Sequence, residues 1–525
     1  MRAPAALASV LALLAAACGS GGGGSGGGGN EGSGPAPPPP YTSTTLVQLS
    51  KASTFAAGCD GGGGSGTLYT DTTAEPSFVV NPTNPMNLIA GWQQNRWSTG
   101  GAQGLNLAAS FDGGKTWTLS NAAFSLCTGG GSGNAGNYPR ASDVWLTASP
   151  NGVAYALSLS FSGGALLAGS SSAMLVASSQ DGGRTWSAPV AVIQDGDQFF
   201  DDKGSITADS TDSNYVYVVW DRLSGASTGP SYFAVTADAG VTWAVARSIY
   251  DPGAANQTLG NQVVVLPGDV VLDVFTELDT NATGQTTAQA RLVQSLDHGT
   301  TWSEPITIAE LQPLGTPGIR DGSDIVSVSV GPGGVVYVAW QDSRFSSGDH
   351  DGIAMTQSSD GGMTWSTPIE VNGDTAAQAF TPTIHVQPSG AITVTYYDLR
   401  NNTQAALGEL LADAWIVTSS DGSTFSESHL SGPFDMVNAP DSGGLFVGDY
   451  EALSSAAGTL PLYAQTDAGT KVASDTFMAF PAAAAATAAA APYRAQVALA
   501  EITPGARRRI AQHIGQRRIE RRREP

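Results

Sequence analysis

One string recurs along the chain and limits what it can become. SFDGGKTW at 110–117 returns as SQDGGRTW from Ser179, TADAGVTW from Thr236, SLDHGTTW from Ser295 and SSDGGMTW from Ser358, with a shortened SSDGSTF from Ser419. Its aspartates, Asp112, Asp181, Asp238, Asp297, Asp360 and Asp421, are spaced 69, 57, 59, 63 and 61 residues apart. Each copy follows an alternating segment such as ARLVQS and precedes another such as PITIA, so it reads as the turn of a β-hairpin. The residue types suit a turn: glycines admit positive φ, the carboxylate accepts turn amides, and Ser and Thr hydroxyls satisfy further backbone groups.

A second hairpin precedes each string, as in VWLTASPNGVAYALSL and IVSVSVGPGGVVYVAW. The repeat is therefore strand A, tight turn, strand B, loop, strand C, Asp string, strand D. A period near 60 suits a four-stranded blade, and the expected fold is an all-β propeller of antiparallel four-stranded blades. A further A–B pair begins at Tyr450, with TFMAF at 476–480 as its strand C and TTLVQLS at 44–50 as a candidate strand D. This gives seven blades, with six as the alternative. The expected boundaries are a signal peptide at 1–18, a tether at 19–40, the propeller at 41–480, and an Ala-rich linker with a basic, disordered tail at 481–525.

The string S-x-D-x-G-x-T-W is the Asp-box, and over residues 44–480 the chain resembles the Asp-box propellers of the sialidase superfamily. That resemblance implies action on an extracellular glycan through a Tyr nucleophile tuned by a Glu, an Asp acid/base and a carboxylate-binding arginine cluster. Carried onto this sequence, it makes Tyr450 in GDYEAL the nucleophile, Glu277 its partner and Asp143 the acid/base, with Arg140, Arg320 and Arg344 as carboxylate ligands. No Phe-Arg-Ile-Pro motif precedes the first string, and Arg96 is the only arginine between Cys18 and Ser110. A non-catalytic glycan- or protein-binding scaffold is the competing expectation.

Strand order puts A–B and C–D turns at one end of each blade and B–C loops at the other, so the loop face is the default binding face. Arginines recur where B–C loops begin, in WDR, WQDSR, YDLR and the looser WQQNR, ending at Arg222, Arg344, Arg400 and Arg96. They are either a cationic cluster for an anionic substrate or structural pairs of Asp221/Arg222, Asp342/Arg344 and Asp398/Arg400. One asymmetric substrate requires residues that differ between repeats. Candidates near the strand A entries are Glu75, Arg140, Asp143, Asp202, Lys203, Arg320, Asp324, Asp449 and Glu451; with Arg344 and Arg400, the expected substrate-binding set is Arg140, Asp202, Arg320 and Asp324.

The amino terminus reads as an export signal: Arg2, an apolar run, then Ala15-Ala16-Ala17-Cys18. Cys18 resembles a lipoprotein acylation site, which implies a lipid anchor at the cell envelope, on the outer membrane or cell surface, with the membrane engaged only through that anchor. An ordinary secretory signal is the alternative. Residues 19–40 are a Gly/Ser/Pro tether. Cys59 and Cys127 are then expected to form a disulfide.

The net charge is −22, yet the last 32 residues carry nine arginines against three glutamates, which makes them +6 and the rest −28. Such an acidic body argues against nucleic acid and against anionic membrane surfaces as partners of the main domain, and a monomer is expected. The tail is either a basic linker or a binder of an anionic envelope polymer. No cofactor is expected and no metal site is assigned. DGDQFFDD at 195–202 and GDHDG at 348–352 offer carboxylates for Ca²⁺, or are solvated acidic loops; the five histidines show no zinc spacing.

Overall fold

The computed structural model of the chain describes residues 45–62, 65–225, 228–403, 408–456, 458–467, 472–480 and 503–521, with side chains of the last segment to 515. The expected signal peptide, Cys18 and the tether lie outside the described residues.

The described chain is almost entirely β. After β1 (Thr45–Gln48), the first unit is β2 (Leu68–Val80), β3 (Leu88–Trp97), β4 (Ala102–Ser110) and β5 (Thr118–Leu119); the second is β6 (Arg140–Ala148), β7 (Ala154–Ser162), β8 (Ser171–Ser179) and β9 (Val190–Gly196). The third is β10 (Phe200–Ala208), β11 (Val216–Leu223), β12 (Ser231–Thr236) and β13 (Arg247–Tyr250); the fourth is β14 (Asn256–Leu266), β15 (Val270–Thr280), β16 (Thr286–Ser295) and β17 (Ile306–Leu311). The fifth is β18 (Ser327–Val330), β19 (Val336–Asp342), β20 (Gly352–Ser358) and β21 (Ile369–Glu370); the sixth is β22 (Ala379–Val386), β23 (Ile392–Asp398), β24 (Leu411–Ser419) and β25 (Ser426–Asp435). Each is an antiparallel meander.

The last unit has β26 (Ala452–Ser455), β27 (Thr459–Thr466) and β28 (Ser474–Phe480), and its fourth strand comes from the other end of the chain. β1 pairs antiparallel with β28, Thr45 opposite Phe480 and Gln48 opposite Phe477. Leu49, just beyond β1, is 3% exposed and packs with Leu88, Trp92, Leu462 and Met478.

The first strands touch in order: β2 with β6, β6 with β10, β10 with β14, β14 with β18, β18 with β22, β22 with β26, and β26 with β2. Second strands are buried on both faces and therefore read as continuous apolar runs, such as VYVVW in β11 and VYVAW in β19.

Each Asp string is the turn between third and fourth strands. The Ser110 hydroxyl donates to Asp112 Oδ1 at 2.8 Å, and Asp112 accepts the Thr116 amide at 2.9 Å and the Thr116 hydroxyl at 2.6 Å. The same bonds recur around Asp181, Asp238, Asp297 and Asp360, while Asp421 accepts the amides of Ser423 and Thr424. The second glycine has a further reason to be glycine: a Cβ at Gly299 would lie 2.3 Å from Phe233 of the third unit, and one at Gly114 would lie 2.6 Å from Phe480 of the last. The string thus clasps its own hairpin and abuts the preceding unit.

Cys59 and Cys127 form a disulfide with a Cα–Cα distance of 5.0 Å. The expectation of a disordered tail throughout 481–525 is corrected over α1 (Pro504–Arg521), an α-helix whose Ala506, Ile510 and Ile514 are buried. Ile510 and Ile514 join a cluster with Leu266, Leu272 and Val336 of the fourth and fifth units. Those isoleucines recur at helical spacing, but the surrounding arginines obscure the pattern.

If the β1 seal stabilises the fold, Leu49→Ala should lower unfolding free energy by about 2–3 kcal/mol. Val241→Ala, at a side chain 79% exposed, should change it by less than about 0.5 kcal/mol. Urea denaturation of both variants checks this.

Candidate functional site

The first strands carry a repeated irregularity that the sequence does not advertise. Pairing with the second strand slips between Ala74 and Ser77, Ser142 and Trp145, Asp202 and Ser205, Leu259 and Gln262, and Phe380 and Thr383. At each slip one residue is left-handed: Glu75 (φ 50°), Asp143 (φ 52°), Lys203 (φ 44°), Gly260 (φ 66°) and Thr381 (φ 51°). A bulge re-aims the side chain of its extra residue. At non-glycine positions this conformation costs about 1–2 kcal/mol each, so surrounding contacts must hold it.

They do so in a buried charge cluster. Lys203 Nζ lies 3.1 Å from Glu75 Oε1, 3.7 Å from Asp143 Oδ1 and 2.5 Å from Asp449 Oδ2, and all four side chains are at most 9% exposed. Arg320 binds Asp449 with both Nε, at 3.1 Å, and Nη2. The segment carrying Asp449 is fixed on both sides: the Leu445 carbonyl accepts the Arg320 amide at 3.0 Å, and the Val447 carbonyl accepts the Glu75 amide at 3.2 Å. Arg96 and Arg320 both lie over the Phe446 ring, 4.4 and 4.5 Å from its centroid. Gln93 donates to Glu75 and accepts from Arg96, whose Nε donates to Ser442 Oγ at 3.2 Å.

Burial and partners divide these groups electrostatically. Burial pushes the Glu75 carboxyl up to about 7, outweighing the opposing pull of Lys203. Asp449 is driven well below the usual range because Lys203 and Arg320 together overcome its burial, and Lys203 is raised by its three carboxylates despite its own burial. Burial and its neighbour Asp202 hold the Asp221 carboxyl well above the usual range.

Tyr450 completes the cluster. Its hydroxyl is buried without a hydrogen-bond partner among the described residues, and its ring lies 5.4 Å from that of Trp145 and 5.7 Å from Lys203 Nζ. Burial raises the phenol far above its ordinary value, and the charges of Glu75, Asp143 and Asp449 add to this.

A cavity of about 230 Å³ is lined by Tyr450, Lys203, Trp145 and Gln262, with further residues from every first strand. Most of its lining follows the bulges in sequence, so it extends from the cluster toward the Asp-string end. On the loop side, Phe446 and Arg320 cover the cluster, and the Arg320 side chain is 32% exposed.

Of the expected set, Tyr450 lines the cavity, Asp143 and Arg320 join the ion cluster, and Asp202 lies within the electrostatic reach of Lys203 and Arg320. Glu277 instead accepts the Tyr250 hydroxyl and Arg291 Nη1, each at 2.6 Å; the glutamate whose charge bears on Tyr450 is Glu75. Arg140 donates to Thr99 Oγ1 and to the carbonyls of Gly100 and Ser65. Arg344 pairs with Asp342, and Arg400 pairs with Asp398 and Glu427 while lying 3.6 Å over Trp415. The Asp221/Arg222 pairing is corrected: Arg222 binds Asp195, leaving both Asp221 oxygens unpartnered among the described residues. Asp324 is raised by burial and neighbouring Asp321. Among the described residues no group of three or more His, Cys, Asp or Glu is placed to hold a metal ion. Arg96 was visible in the sequence only as the looser WQQNR copy of the B–C loop signature, and Gln93 and Phe446 were not singled out, since neither falls in a recognised motif.

No protein-family model and no curated protein sequence matches the chain. Among solved structures it is similar to the Hadza microbial sialidase Hz136 (16% identity, 76% of this chain and 74% of that chain, TM-score 0.43). It is also similar to a Penicillium chrysogenum α-L-arabinanase complexed with arabinobiose (13%, 83% and 98%, 0.42) and to a Trypanosoma rangeli sialidase in complex with 2,3-difluorosialic acid (13%, 83% and 59%, 0.43). These are likenesses of backbone, and no residue role is taken from them.

Because Glu75 is raised from 4.5 to about 7, the native chain retains a proton between those values that the unfolded chain releases. Its contribution is intact below pH 4.5 and declines as pH rises through 7, with a slope of at most about 1.4 kcal/mol per pH unit. Glu75→Gln should remove one proton's worth of that slope. Thermal unfolding at pH 4.5, 6 and 8 measures it, against the background of Asp201, also raised to about 7 by burial.

Proposed function

We propose that the chain is a surface-tethered Asp-box propeller of seven four-stranded blades that hydrolyses an extracellular glycan. The unbroken order of first-strand contacts and the β1–β28 pairing support the blade count and ring closure. The signal-like start and Cys18 support export and anchoring.

One observation carries the catalytic reading: a buried tyrosine hydroxyl without a partner among the described residues lines the cavity, within electrostatic reach of the Glu75 carboxyl that burial pushes up to about 7. Unsatisfied polar groups and left-handed backbone at one cavity are the signature of a site whose geometry serves something other than stability. In this reading Glu75 takes the phenol proton as Tyr450 attacks the anomeric carbon. Asp143 protonates the leaving oxygen and then deprotonates the water that releases the sugar, a retaining sequence. Arg320, the most exposed cation of the cluster, meets an anionic group on the substrate.

A second reading rests on Lys203. Its ammonium already occupies Glu75, Asp143 and Asp449, which suits a channel closed by ion pairs in a non-catalytic binding module.

Tyr450→Phe separates the two. Removing an unpartnered buried hydroxyl should leave stability unchanged or slightly higher. If Tyr450 is the nucleophile, release of fluorophore from a panel of aryl glycosides, sialosides among them, should fall by at least about 100-fold with the melting temperature held. Equal activity in both forms removes Tyr450 from the chemistry. No wild-type release from any glycoside, with binding on a glycan array, leaves the second reading.

A further inference from the structure

The amino-terminal strand and the carboxy-terminal helix meet at one end of the molecule. Thr45 opens β1 opposite Phe480, and Phe480 lies against Gly114 of the first Asp string. β1 therefore begins at the Asp-string end. α1 lies at that end too: Arg507 donates to the carbonyl of Gly268 in the turn between β14 and β15, and Arg509 Nη2 is 3.4 Å from Asp360 of the fifth string.

The helix is two-sided. Ala506, Ile510 and Ile514 are buried against the body, while Arg507, Arg508 and Arg509 are exposed. The Arg509 side chain remains 51% exposed despite its acidic neighbour. A body of net charge −28 thus carries exposed arginines of α1 at its Asp-string end.

We propose that α1 docks on anionic phospholipid headgroups, so that the Asp-string end faces the membrane and the loop face points away. The proposal rests on the surface-tethered reading above and adds the orientation and the lipid class. A lipid anchor together with a polybasic surface is the two-signal arrangement that gives stable attachment. Repulsion from the acidic body is limited by screening, because charges more than about 8 Å from the headgroups are largely screened at physiological ionic strength. Arg507 and Arg509 stay exposed while touching the body, and with Arg508 they are the charges offered to the lipid.

The test uses the full chain carrying Cys18→Ser, so that binding depends on no acyl group, and measures co-flotation with phosphatidylglycerol/phosphatidylcholine vesicles (3:7) or phosphatidylcholine alone. Binding to the anionic vesicles only is expected. It should weaken on the order of 100-fold in R507Q/R508Q/R509Q and disappear in 0.5 M NaCl, with the melting temperature and helical circular dichroism of the variant retained. Equal flotation with both vesicle types, no flotation, or flotation unaffected by the triple substitution overturns the proposal. So does binding to dextran sulfate without binding to vesicles, which would make α1 a polyanion site rather than a lipid site. Metabolic palmitate labelling of wild type against Cys18→Ser tests the tether separately, and its failure leaves the flotation result intact.

Discussion

The Lys203 ammonium sits where carboxylates from three other parts of the chain converge, one from the first unit, one from the second and one from the segment entering the last. Hydrophobic packing between neighbouring sheets is non-directional and recurs at every seam. The ion cluster is directional and spans the centre, because Arg320, ahead of the fifth unit, shares Asp449 with Lys203. Removing one member of such a buried set costs about 3–5 kcal/mol, chiefly by leaving the others uncompensated. The left-handed Glu75, Asp143 and Lys203 persist because their side chains are bound this way.

The same arrangement positions the chemistry. A bulge in five of the seven first strands re-aims the residue it carries, and the units fill it differently: glutamate, aspartate, lysine, glycine, threonine. The repeated clasp residues Asp112 and Asp238 are held at about 2 by the Thr116 and Thr242 hydroxyls and their neighbouring bonds, so they stay ionised at neutral pH. Glu75 is not held so low. The repeat thus supplies the frame, and a departure from the repeat, Glu75, supplies the carboxyl that burial pushes up to about 7.

Much of the frame was legible in the sequence. The Asp strings gave the strand order, the spare amino-terminal strand was readable as the missing partner of β28, and Cys59 and Cys127 pair. The charged residues that break symmetry, Glu75, Asp143, Lys203, Arg320 and Asp449, were also visible as candidates. Their convergence on one ammonium was not, because a one-residue bulge leaves the alternating pattern almost unchanged while redirecting a side chain. Glu277 read as the partner of Tyr450 because it is the lone glutamate of its strand, yet register places it opposite Thr258 and Gln289 and within reach of Tyr250 and Arg291. Arg222 meets Asp195 across strands rather than its neighbour in sequence. Local spacing identifies such pairs only where both partners lie in one loop, as Asp342 and Arg344 do.

The claim on which this account turns is that Lys203 holds the channel together by charge. Equilibrium unfolding of Lys203→Met at pH 7.5 and pH 5 tests it directly. The account predicts a loss of about 3–5 kcal/mol at pH 7.5, becoming smaller at pH 5 as Glu75 and the carboxylates released from Lys203 take up protons. An equal loss at both pH values, or none at either, would contradict it.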